Sequence, residues 1–349
     1  MGYYLLTGAT GLLGRYLLRH LLMSDVPVAV VVRGNRIANA WQRTESVVGE
    51  LEETLGRTLP RPIVLEGELT QPELGLSRET LNWVKRHCRA VLHNAASLSF
   101  QKGEPHEEPW ISNVTGTQRV LELTEMCGIR EFHHVSTAYV CGQRRGKVYE
   151  SELDLGQEFG NDYEASKLTA EKMVRSAQWL DAPTIYRPAI IVGDSRTSFT
   201  NTFHGFYTPL QIVYSMMMRV NPTDLNPQSL IEALGLAGDE RKNLVPVDWI
   251  AAAIATLLRE PRNHGEVYHL TPRNTTPVST LCDVFSQATQ QFAVTNARSS
   301  NSAGGGPSIA SLAQMFRSQM TVYQAYWRDD PEFDRTNIEA RLPELPCPV

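Results

Sequence analysis

The chain has 349 residues, of which 42% are hydrophobic and 20% charged, and its net charge is −5 at pH 7. This composition excludes a disordered chain, and the weak negative charge argues against a nucleic-acid partner. No stretch approaches about 18 uninterrupted apolar residues, so we expect no membrane span. The five cysteines are scattered without metal-type spacing, which favours a reduced, cytoplasmic setting and no bound metal.

Predicted strands and helices alternate through most of the chain. A short apolar strand begins at Tyr3, and the nearly unbroken β-branched run at 26–32 is typical of a strand buried on both faces. Further strands are predicted at 62–65, 90–93, 131–136, 184–186 and 267–270, and helices at 15–23, 37–55, 78–86, 113–128, 163–179 and 251–258. This alternation predicts an α/β fold with a Rossmann-type doubly wound parallel sheet.

The pattern becomes irregular after Pro188. We assign residues 1–185 to a dinucleotide-binding domain, to which 244–270 return, and residues 186–243 and 271–349 to a smaller, mostly helical lobe that binds the substrate. A methionine-rich helix at 210–220 and a helix at 309–326 are expected in this lobe, and the Ser- and Gly-rich stretch at 296–308 is typical of a flexible segment.

Three glycines, spaced three apart, lie between the first strand and the first helix. Gly8 permits a tight turn, Gly11 allows backbone amides to approach a pyrophosphate, and Gly14 allows the helix to pack closely on the strand. The helix N-terminus adds positive potential for the phosphates. This order of strand, loop and helix predicts a dinucleotide site.

The end of the second strand indicates which dinucleotide is bound. An NAD site usually has an acidic residue there, whereas an NADP site needs positive charge for the additional phosphate. This strand ends without an acid and is followed by Arg33, Arg36 and Arg43. We therefore expect NADP(H), with NAD(H) as the alternative. If the arginines are only solvated surface charge, they do not indicate which cofactor is bound.

Tyr163 and Lys167 lie four residues apart and share one face of a predicted helix. An ammonium group beside a phenol lowers the phenol pKa, so the tyrosine becomes a usable general acid or base. The lysine could also bind a nicotinamide ribose, and the hydroxyl of Ser136 or Thr137, at the end of a strand, could hold the substrate oxygen.

These motifs together resemble the extended short-chain dehydrogenase/reductase family. The similarity lies at residues 7–14, 94–96, 113–117, 135–139, 163–167 and 186–188. It implies a catalytic triad of Thr137, Tyr163 and Lys167, supported by Asn113, with Ser136 as the alternative to Thr137. Cofactor contacts are expected from Thr7, Gly8, Thr10, Gly11, Leu12, Leu13, Gly14, Arg33, Arg43, Glu68, Leu69, Asn94, Ala95, Ala96, Tyr163, Lys167, Arg187, Pro188 and Ile190. Substrate contacts are expected from Ser97, Ser136, Thr137, Tyr139 and His204.

Within that family, residues 66–70, 93–100 and 191–195 are similar to thioester reductase domains and fatty acyl-CoA reductases. Glu68 departs from the aspartate that such proteins usually carry next to the adenine. The resemblance implies NADPH-dependent reduction of an acyl thioester, carried by CoA or an acyl carrier protein, to an aldehyde or an alcohol. The alternatives are a carbonyl reductase or alcohol dehydrogenase acting on a free small molecule, a nucleotide-sugar epimerase or dehydratase, and a dinucleotide sensor. A monomer or a homodimer is expected.

Overall fold

The computed structural model describes residues 2–202, 207, 228, 231–232, 236–296 and 328–348. The predicted helices at 210–220 and 309–326, residues 297–308 of the predicted flexible stretch, and His204 lie outside the described residues. Among the residues described, no helix has the combination of length and apolar character that a membrane crossing requires.

The central sheet is parallel and has seven strands. In chain order, the strands of the described residues are β1 (Tyr3–Thr7), β2 (Val28–Val32), β3 (Ile63–Glu66), β4 (Cys88–His93), β5 (Glu131–Val135), β6 (Lys147–Val148), β7 (Thr184–Pro188), β8 (Ile190–Val192), β9 (Arg241–Lys242), β10 (Leu244–Pro246), β11 (Val267–Leu270), β12 (Thr276–Pro277) and β13 (Glu332–Phe333). The order across the large sheet is β11-β7-β5-β4-β1-β2-β3. This order, which reverses between β1 and β4, confirms the predicted doubly wound Rossmann-type sheet.

Helices cover both faces of this sheet. The helices of the described residues are α1 (Leu12–Met23), α2 (Ala40–Leu55), α3 (Arg78–His87), α4 (Gly116–Cys127), α5 (Asp162–Ser176), α6 (Val247–Arg259), α7 (Val278–Asn296) and α8 (Thr336–Arg341). Of these, α7 does not belong to the compact unit that holds this sheet. Helix α1 packs against α6 and α2, whereas α4 packs against α3 and α5. All five residues of β2 are buried, as expected for a parallel strand that is covered on both faces.

The helix predicted from residue 37 begins at Ala40 instead. Asn39 caps it, because the Asn39 side chain accepts from the backbone N of Gln42, and the Gln42 side chain accepts from the backbone N of Asn39 in return. The Asn35 side chain accepts from the backbone N of Ile37 and of Ala38. These two asparagines satisfy the backbone donors that precede the helix, so the chain turns before α2 begins.

Two compact units divide the chain. The first comprises Met1–Thr202, Val245–Pro272 and Glu332–Val349, and it holds the large sheet. It takes in residues 186–202 and 332–349, which the sequence analysis assigned to the smaller lobe. The segment at 332–349 belongs here because β13 pairs in parallel with β6 and Phe333 packs in a small core with Ala138 and Cys141.

The second unit comprises Phe203–Leu244 and Arg273–Pro331. In its described part, β9 pairs with β12 in antiparallel fashion, and α7 follows β12. The buried Lys242 ammonium contacts the Asp330 carboxylate at 3.0 Å. Because each charge is buried with a partner, this ion pair joins β9 to the residues just before β13.

Candidate active site

The loop between β1 and α1 requires glycine at two positions. Gly8 has φ 72°, and a Cβ there would lie 2.8 Å from the Ala95 backbone. A Cβ on Gly14 would lie 1.9 Å from the Gly8 carbonyl oxygen, whereas one on Gly11 would lie 3.5 Å from the same atom. The loop is therefore pressed against both the helix and the segment after β4, and the space beside Gly11 suits the close approach of a phosphate. These residues fit a dinucleotide.

Thr7 fixes the segment after β4 against this loop. Its hydroxyl oxygen accepts from the backbone N of Asn94 at 3.1 Å and of Ala95 at 3.2 Å. The Asn94 side chain donates to the Gly8 carbonyl oxygen at 3.3 Å. With both acceptor positions used, Thr7 donates its own proton to His93 Nδ1, 2.8 Å away.

His93 continues this chain of hydrogen bonds towards Asn113. Because Nδ1 accepts, the neutral ring carries its proton on Nε2 and donates it to the Thr117 hydroxyl at 3.0 Å. Thr117 in turn donates to the Asn113 carbonyl oxygen at 2.6 Å. Burial, with a smaller effect from the Lys167 charge, lowers the pKa of His93 to about 3. His93 thus connects the phosphate loop to Asn113.

Two buried histidines, His93 and His269, are expected to make the fold less stable in acid. Burial lowers the pKa of His93 and of His269 to about 3, whereas an unfolded histidine titrates near 6.5. Between those values the unfolded chain binds more protons, so the free energy of unfolding falls as pH drops below about 6.5, by about 2 kcal/mol per histidine at pH 5. Denaturant unfolding at pH 7.5 and pH 5 measures this loss. His93→Gln should reduce it, while His106→Gln, at an exposed position, should not; an equal loss in all three proteins would contradict the assignment.

Asn113 lies at the centre of a single π-helical turn, Ile111–Thr115, just before α4. Its amide accepts from the backbone N of Ser97 at 2.8 Å and donates to the Ser97 carbonyl oxygen at 3.1 Å. The same Nδ2 donates to the Ser166 hydroxyl at 2.9 Å. Asn113 therefore joins the segment after β4 to α5, and single π turns are frequent at functional sites. In the described part of the chain, the hydrogen bonds of Ser97 are the two to Asn113, and both use the Ser97 backbone.

Tyr163 is buried at the start of α5 and faces Thr137. The Phe100 ring packs on it edge to face, with ring centroids 5.6 Å apart. Phe100 ends the segment 93–100 that resembles thioester reductases, but no site role was predicted for it. Burial raises the pKa of Tyr163 to about 12, although a hydrogen bond with Thr137 acts in the opposite direction. The expectation that Lys167 lowers this pKa is wrong for this structure, because burial of the phenol dominates. Tyr163 therefore holds its proton at neutral pH and is a hydrogen-bond donor.

Lys167 is buried one helical turn beyond Tyr163. Its Nζ donates to the Val135 carbonyl oxygen at 2.8 Å, at the carboxyl end of β5. Burial lowers the pKa of Lys167 to about 8, with Glu171 acting in the opposite direction. The ammonium form therefore prevails at neutral pH, and two of its three N–H donors remain for other partners.

Ser136 and Thr137, the two candidate hydroxyls, have different surroundings. Ser136 donates to the Glu171 carboxylate at 2.7 Å in the interior. Thr137 contacts Tyr163, and its hydroxyl oxygen also accepts from the backbone N of Tyr139 at 3.3 Å. The Ser136 proton is thus held by a buried carboxylate, whereas the Thr137 proton has only a long contact of 3.4 Å with the Pro188 carbonyl oxygen. The weaker internal contact of Thr137 favours it over Ser136 as the substrate donor.

Arg187 also belongs to this internal network. Its guanidinium is fully buried and forms a bidentate ion pair with Glu171, at 2.8 Å and 3.1 Å. Burial opposes ionisation, but Arg187 holds the pKa of Glu171 below its usual value. The Arg187 side chain is therefore engaged within the protein, so a cofactor contact of Arg187 would come from its backbone, and the predicted contact stays a prediction. Glu171 was missed by sequence reasoning, although it follows Lys167 by four residues and therefore shares its helix face.

Basic side chains cluster beside the phosphate loop, where β2 ends. Arg43 donates to the Arg33 carbonyl oxygen at 2.6 Å and to the Thr10 hydroxyl at 3.2 Å. The Arg33 guanidinium is exposed and lies 3.3 Å from the Glu68 carboxylate. Glu68 thus lies near the carboxyl ends of β2 and β3, and the next residue, Leu69, is partly buried. Arg33 and Arg43 therefore lie together beside the phosphate loop, next to the Glu68 carboxylate.

The other predicted contact residues also lie in the first unit where they are described. Leu12 and Leu13 begin α1 and are buried, as are Tyr139 and Ile190. The Pro188 carbonyl oxygen accepts from the Thr137 hydroxyl at 3.4 Å. Ala96 follows Ala95 in the segment after β4. The carboxyl ends of β1, β4, β5 and β7 therefore gather the loop, the hydroxyls and the lysine at one edge of the sheet, where such folds bind their ligands.

This fold and this constellation define an NAD(P)-binding oxidoreductase of the extended short-chain dehydrogenase/reductase type. The chain belongs to the family described as male sterility protein, whose sequence profile matches residues 6–254. The resemblance drawn from the motifs is confirmed by this match.

Several known proteins are similar to the chain. It is 26% identical over 285 residues to the nonribosomal peptide synthetase asaC of Aspergillus flavus, covering 78% of this chain and 26% of that protein. It is 24% identical over 308 residues to the fatty acyl-CoA reductase wat of Drosophila melanogaster, covering 76% of this chain and 56% of that protein. The crystal structure of the terminal R domain from the myxalamid PKS-NRPS biosynthetic pathway superposes with a TM-score of 0.73 and 26% identity, covering 100% of this chain and 87% of that one. The chain thus spans about a quarter to about half of these two curated relatives.

Proposed function

We propose that the chain reduces an acyl thioester, carried by CoA or by an acyl carrier protein, to an aldehyde, with NADPH as the hydride donor. The observation that carries this proposal is the buried pair of hydroxyl donors, Thr137 and Tyr163, with the Lys167 ammonium one turn away. The relatives that are named as a fatty acyl-CoA reductase and as a terminal R domain favour a thioester over a free ketone. All five cysteines are buried thiols, in keeping with a cytoplasmic location.

In this proposal, Thr137 and Tyr163 stabilise negative charge on the substrate oxygen. When bound, a reduced nicotinamide would supply a hydride to the thioester carbonyl carbon, and the carbonyl electron pair would become an oxyanion. The two hydroxyls donate hydrogen bonds to that oxyanion, which is usually the largest catalytic contribution in acyl chemistry. As the C=O bond forms again, the C–S bond breaks and the thiolate leaves with its electron pair. The product is an aldehyde.

Tyr163 has a second task if the aldehyde is reduced to an alcohol. The alkoxide then needs a proton, and Tyr163 is protonated at neutral pH because burial raises its pKa to about 12. Lys167 keeps one N–H on the Val135 carbonyl oxygen, and we assign its remaining donors to the cofactor ribose. Asn113 acts as a positioning residue, because it fixes Ser97 and α5 rather than the reacting atoms.

The test of this function follows NADPH oxidation with a long-chain acyl-CoA, the matching acyl-pantetheine and the corresponding aldehyde, each offered separately. Turnover of either thioester supports the proposal, and the ratio of the two rates ranks CoA against a carrier arm. Turnover of the aldehyde alone would instead identify a carbonyl reductase. No turnover despite measurable NADPH binding would favour a dinucleotide sensor.

The basic cluster predicts a preference for NADPH. Arg43→Ala should raise the Kd of NADPH by about tenfold to a hundredfold, because a hydrogen bond to a charged group contributes about 1.5–3 kcal/mol. The Kd of NADH should change little, since NADH lacks the additional phosphate. Titration of each nucleotide by fluorescence measures both constants.

Arg57→Ala is the matched control for that change. Arg57 is exposed and lies just beyond the end of α2. At the rise of an α-helix, it is about 20 Å from Arg43 along the helix axis. Arg57→Ala therefore removes one positive charge, as Arg43→Ala does, but at a position distant from the cofactor. An equal loss of NADH and NADPH affinity in Arg43→Ala would contradict the assignment of Arg43 to the phosphate.

A further inference from the structure

The amino end of β5 carries a second cluster of polar side chains. Glu131 begins this strand, His133 lies two residues later on the same face, and His264 comes from the turn before β11. One potential ligand atom from each of the three residues lies within 4.8 Å of the other two. The active site is at the other end of β5, about 13 Å away at the usual rise of a strand. This cluster therefore has no part in the proposed reduction.

The distances between the side-chain atoms suit a small metal ion. His133 Nε2 lies 3.2 Å from Glu131 Oε1, and His264 Nδ1 lies 4.0 Å from the same oxygen. The ligands of a tetrahedral zinc ion, at about 2.0–2.1 Å from the metal, are about 3.3 Å from each other. The two imidazole rings are nearly perpendicular, with centroids 4.6 Å apart. Movements of less than about 1 Å would thus complete a three-ligand centre.

The hydrogen bonds of His264 direct a lone pair towards the cluster. Its Nε2 is 2.9 Å from the Leu258 carbonyl oxygen, and a carbonyl can only accept. The proton of the neutral ring is therefore on Nε2, and Nδ1 presents its lone pair to Glu131. A backbone carbonyl that holds the second nitrogen is the usual support for a metal-binding histidine.

His133 is fully buried and has a partner on each nitrogen. Its Nδ1 is 3.1 Å from the Tyr186 hydroxyl, while Nε2 faces the Glu131 carboxylate, so without a cation the proton lies on Nε2. Because the Tyr186 hydroxyl can accept, the proton can move to Nδ1, which frees Nε2 for a metal without any change in the charge of the ring.

Glu131 divides its two oxygens between different neighbours. Oε2 is 3.4 Å from the Arg89 guanidinium, whereas Oε1 faces both histidines and accepts from the Tyr4 hydroxyl at 2.9 Å. Oε1 has two lone pairs, of which one accepts from Tyr4, and the other becomes available to a metal once the His133 proton has moved to Nδ1. The side chains of Glu131 and His264 are 25% and 18% exposed, which gives an ion a path from solvent.

We propose that Glu131, His133 and His264 bind a divalent transition-metal ion, with Zn²⁺ as the first candidate. Two imidazoles and one carboxylate suit Zn²⁺ and its first-row neighbours better than Mg²⁺ or Ca²⁺, which prefer oxygen ligands. The ion links β5 to the turn before β11, so its role is structural. Sequence analysis found no metal-type spacing, because His264 is distant in the chain from the other two residues.

The experiment strips the 349-residue chain with a chelator and titrates it with Zn²⁺ in competition with a chromophoric chelator. We expect one ion per chain and a midpoint of thermal unfolding that rises by several degrees as Zn²⁺ is added, because an ion that binds only the folded state stabilises it. His264→Asn should weaken Zn²⁺ binding by at least about tenfold, because even the loss of a group that only supports a metal ligand has an effect of that size. Binding that is absent, or equal in the variant, would overturn the proposal.

His87→Asn is the matched control, since it removes an exposed histidine at the end of α3 and should leave binding unchanged. Co²⁺ provides a second measurement that needs no variant. Intense visible absorption at one equivalent indicates a site of low coordination number and supports the proposal, whereas the pale spectrum of a six-coordinate ion contradicts it.

Discussion

Replacing Tyr163 by phenylalanine should reduce turnover by about a hundredfold to a thousandfold, the effect expected when one donor to an oxyanion is removed. The phenol is buried against Thr137 and Phe100, and phenylalanine preserves the ring that packs there. The Kd of NADPH should therefore change little. Steady-state kinetics with the thioester, together with nucleotide titration, separate the two effects.

Tyr149→Phe is the control for this change, because it removes a phenol from an exposed side chain beside Lys147. It should retain full turnover. If Tyr163→Phe also turned over normally, Tyr163 would have no place in the mechanism, and the oxyanion would have to be held by Thr137 alone. A large loss of NADPH affinity in Tyr163→Phe would instead assign the hydroxyl to cofactor binding.

Replacing Gly14 by alanine should abolish NADPH binding, with a rise in Kd of more than about a hundredfold. The new methyl group would lie 1.9 Å from the Gly8 carbonyl oxygen and 2.9 Å from the Ala9 Cα. Both are backbone atoms, so no side-chain rotation relieves the clash, and the loop that holds the pyrophosphate has to move. Nucleotide titration measures the loss, and circular dichroism shows whether the variant is folded.

Gly49→Ala is the matched control. Nothing lies within 4 Å of a Cβ at Gly49, within helix α2, so alanine there should stabilise the fold by about 0.5–1 kcal/mol and leave NADPH binding intact. Gly11→Ala, with its nearest neighbour at 3.5 Å, should fold normally and lose affinity only through contact with the nucleotide. Wild-type affinity in Gly14→Ala would contradict the dinucleotide assignment of this loop.

Local sequence was sufficient to predict the sheet. Four of the five residues of β2 are valines, and all five residues are apolar, which is a property of five consecutive residues. The glycine spacing that defines the phosphate loop spans only residues 8–14. Helix boundaries were less accurate where side chains compete with the helix for backbone donors. The start of α2 is the example, because Asn35 and Asn39 satisfy those donors before Ala40.

The sequence by itself determined the fold class, the phosphate loop and the spacing of Tyr163 and Lys167, because each depends on neighbours within a few residues. The tertiary structure adds a difference in surroundings between Thr137, which the resemblance already placed first, and its alternative Ser136. These residues are adjacent in the chain, and the difference arises because Glu171, on α5, takes the Ser136 hydroxyl.

The ionisation of Tyr163 also depended on tertiary structure. A lysine four residues away predicts a low phenol pKa, but burial by surrounding segments raises it to about 12. The same holds for Arg187, which a motif places at the cofactor and the fold pairs with Glu171. Burial and long-range pairing are set by residues far apart in the chain, and for that reason no local pattern contains them.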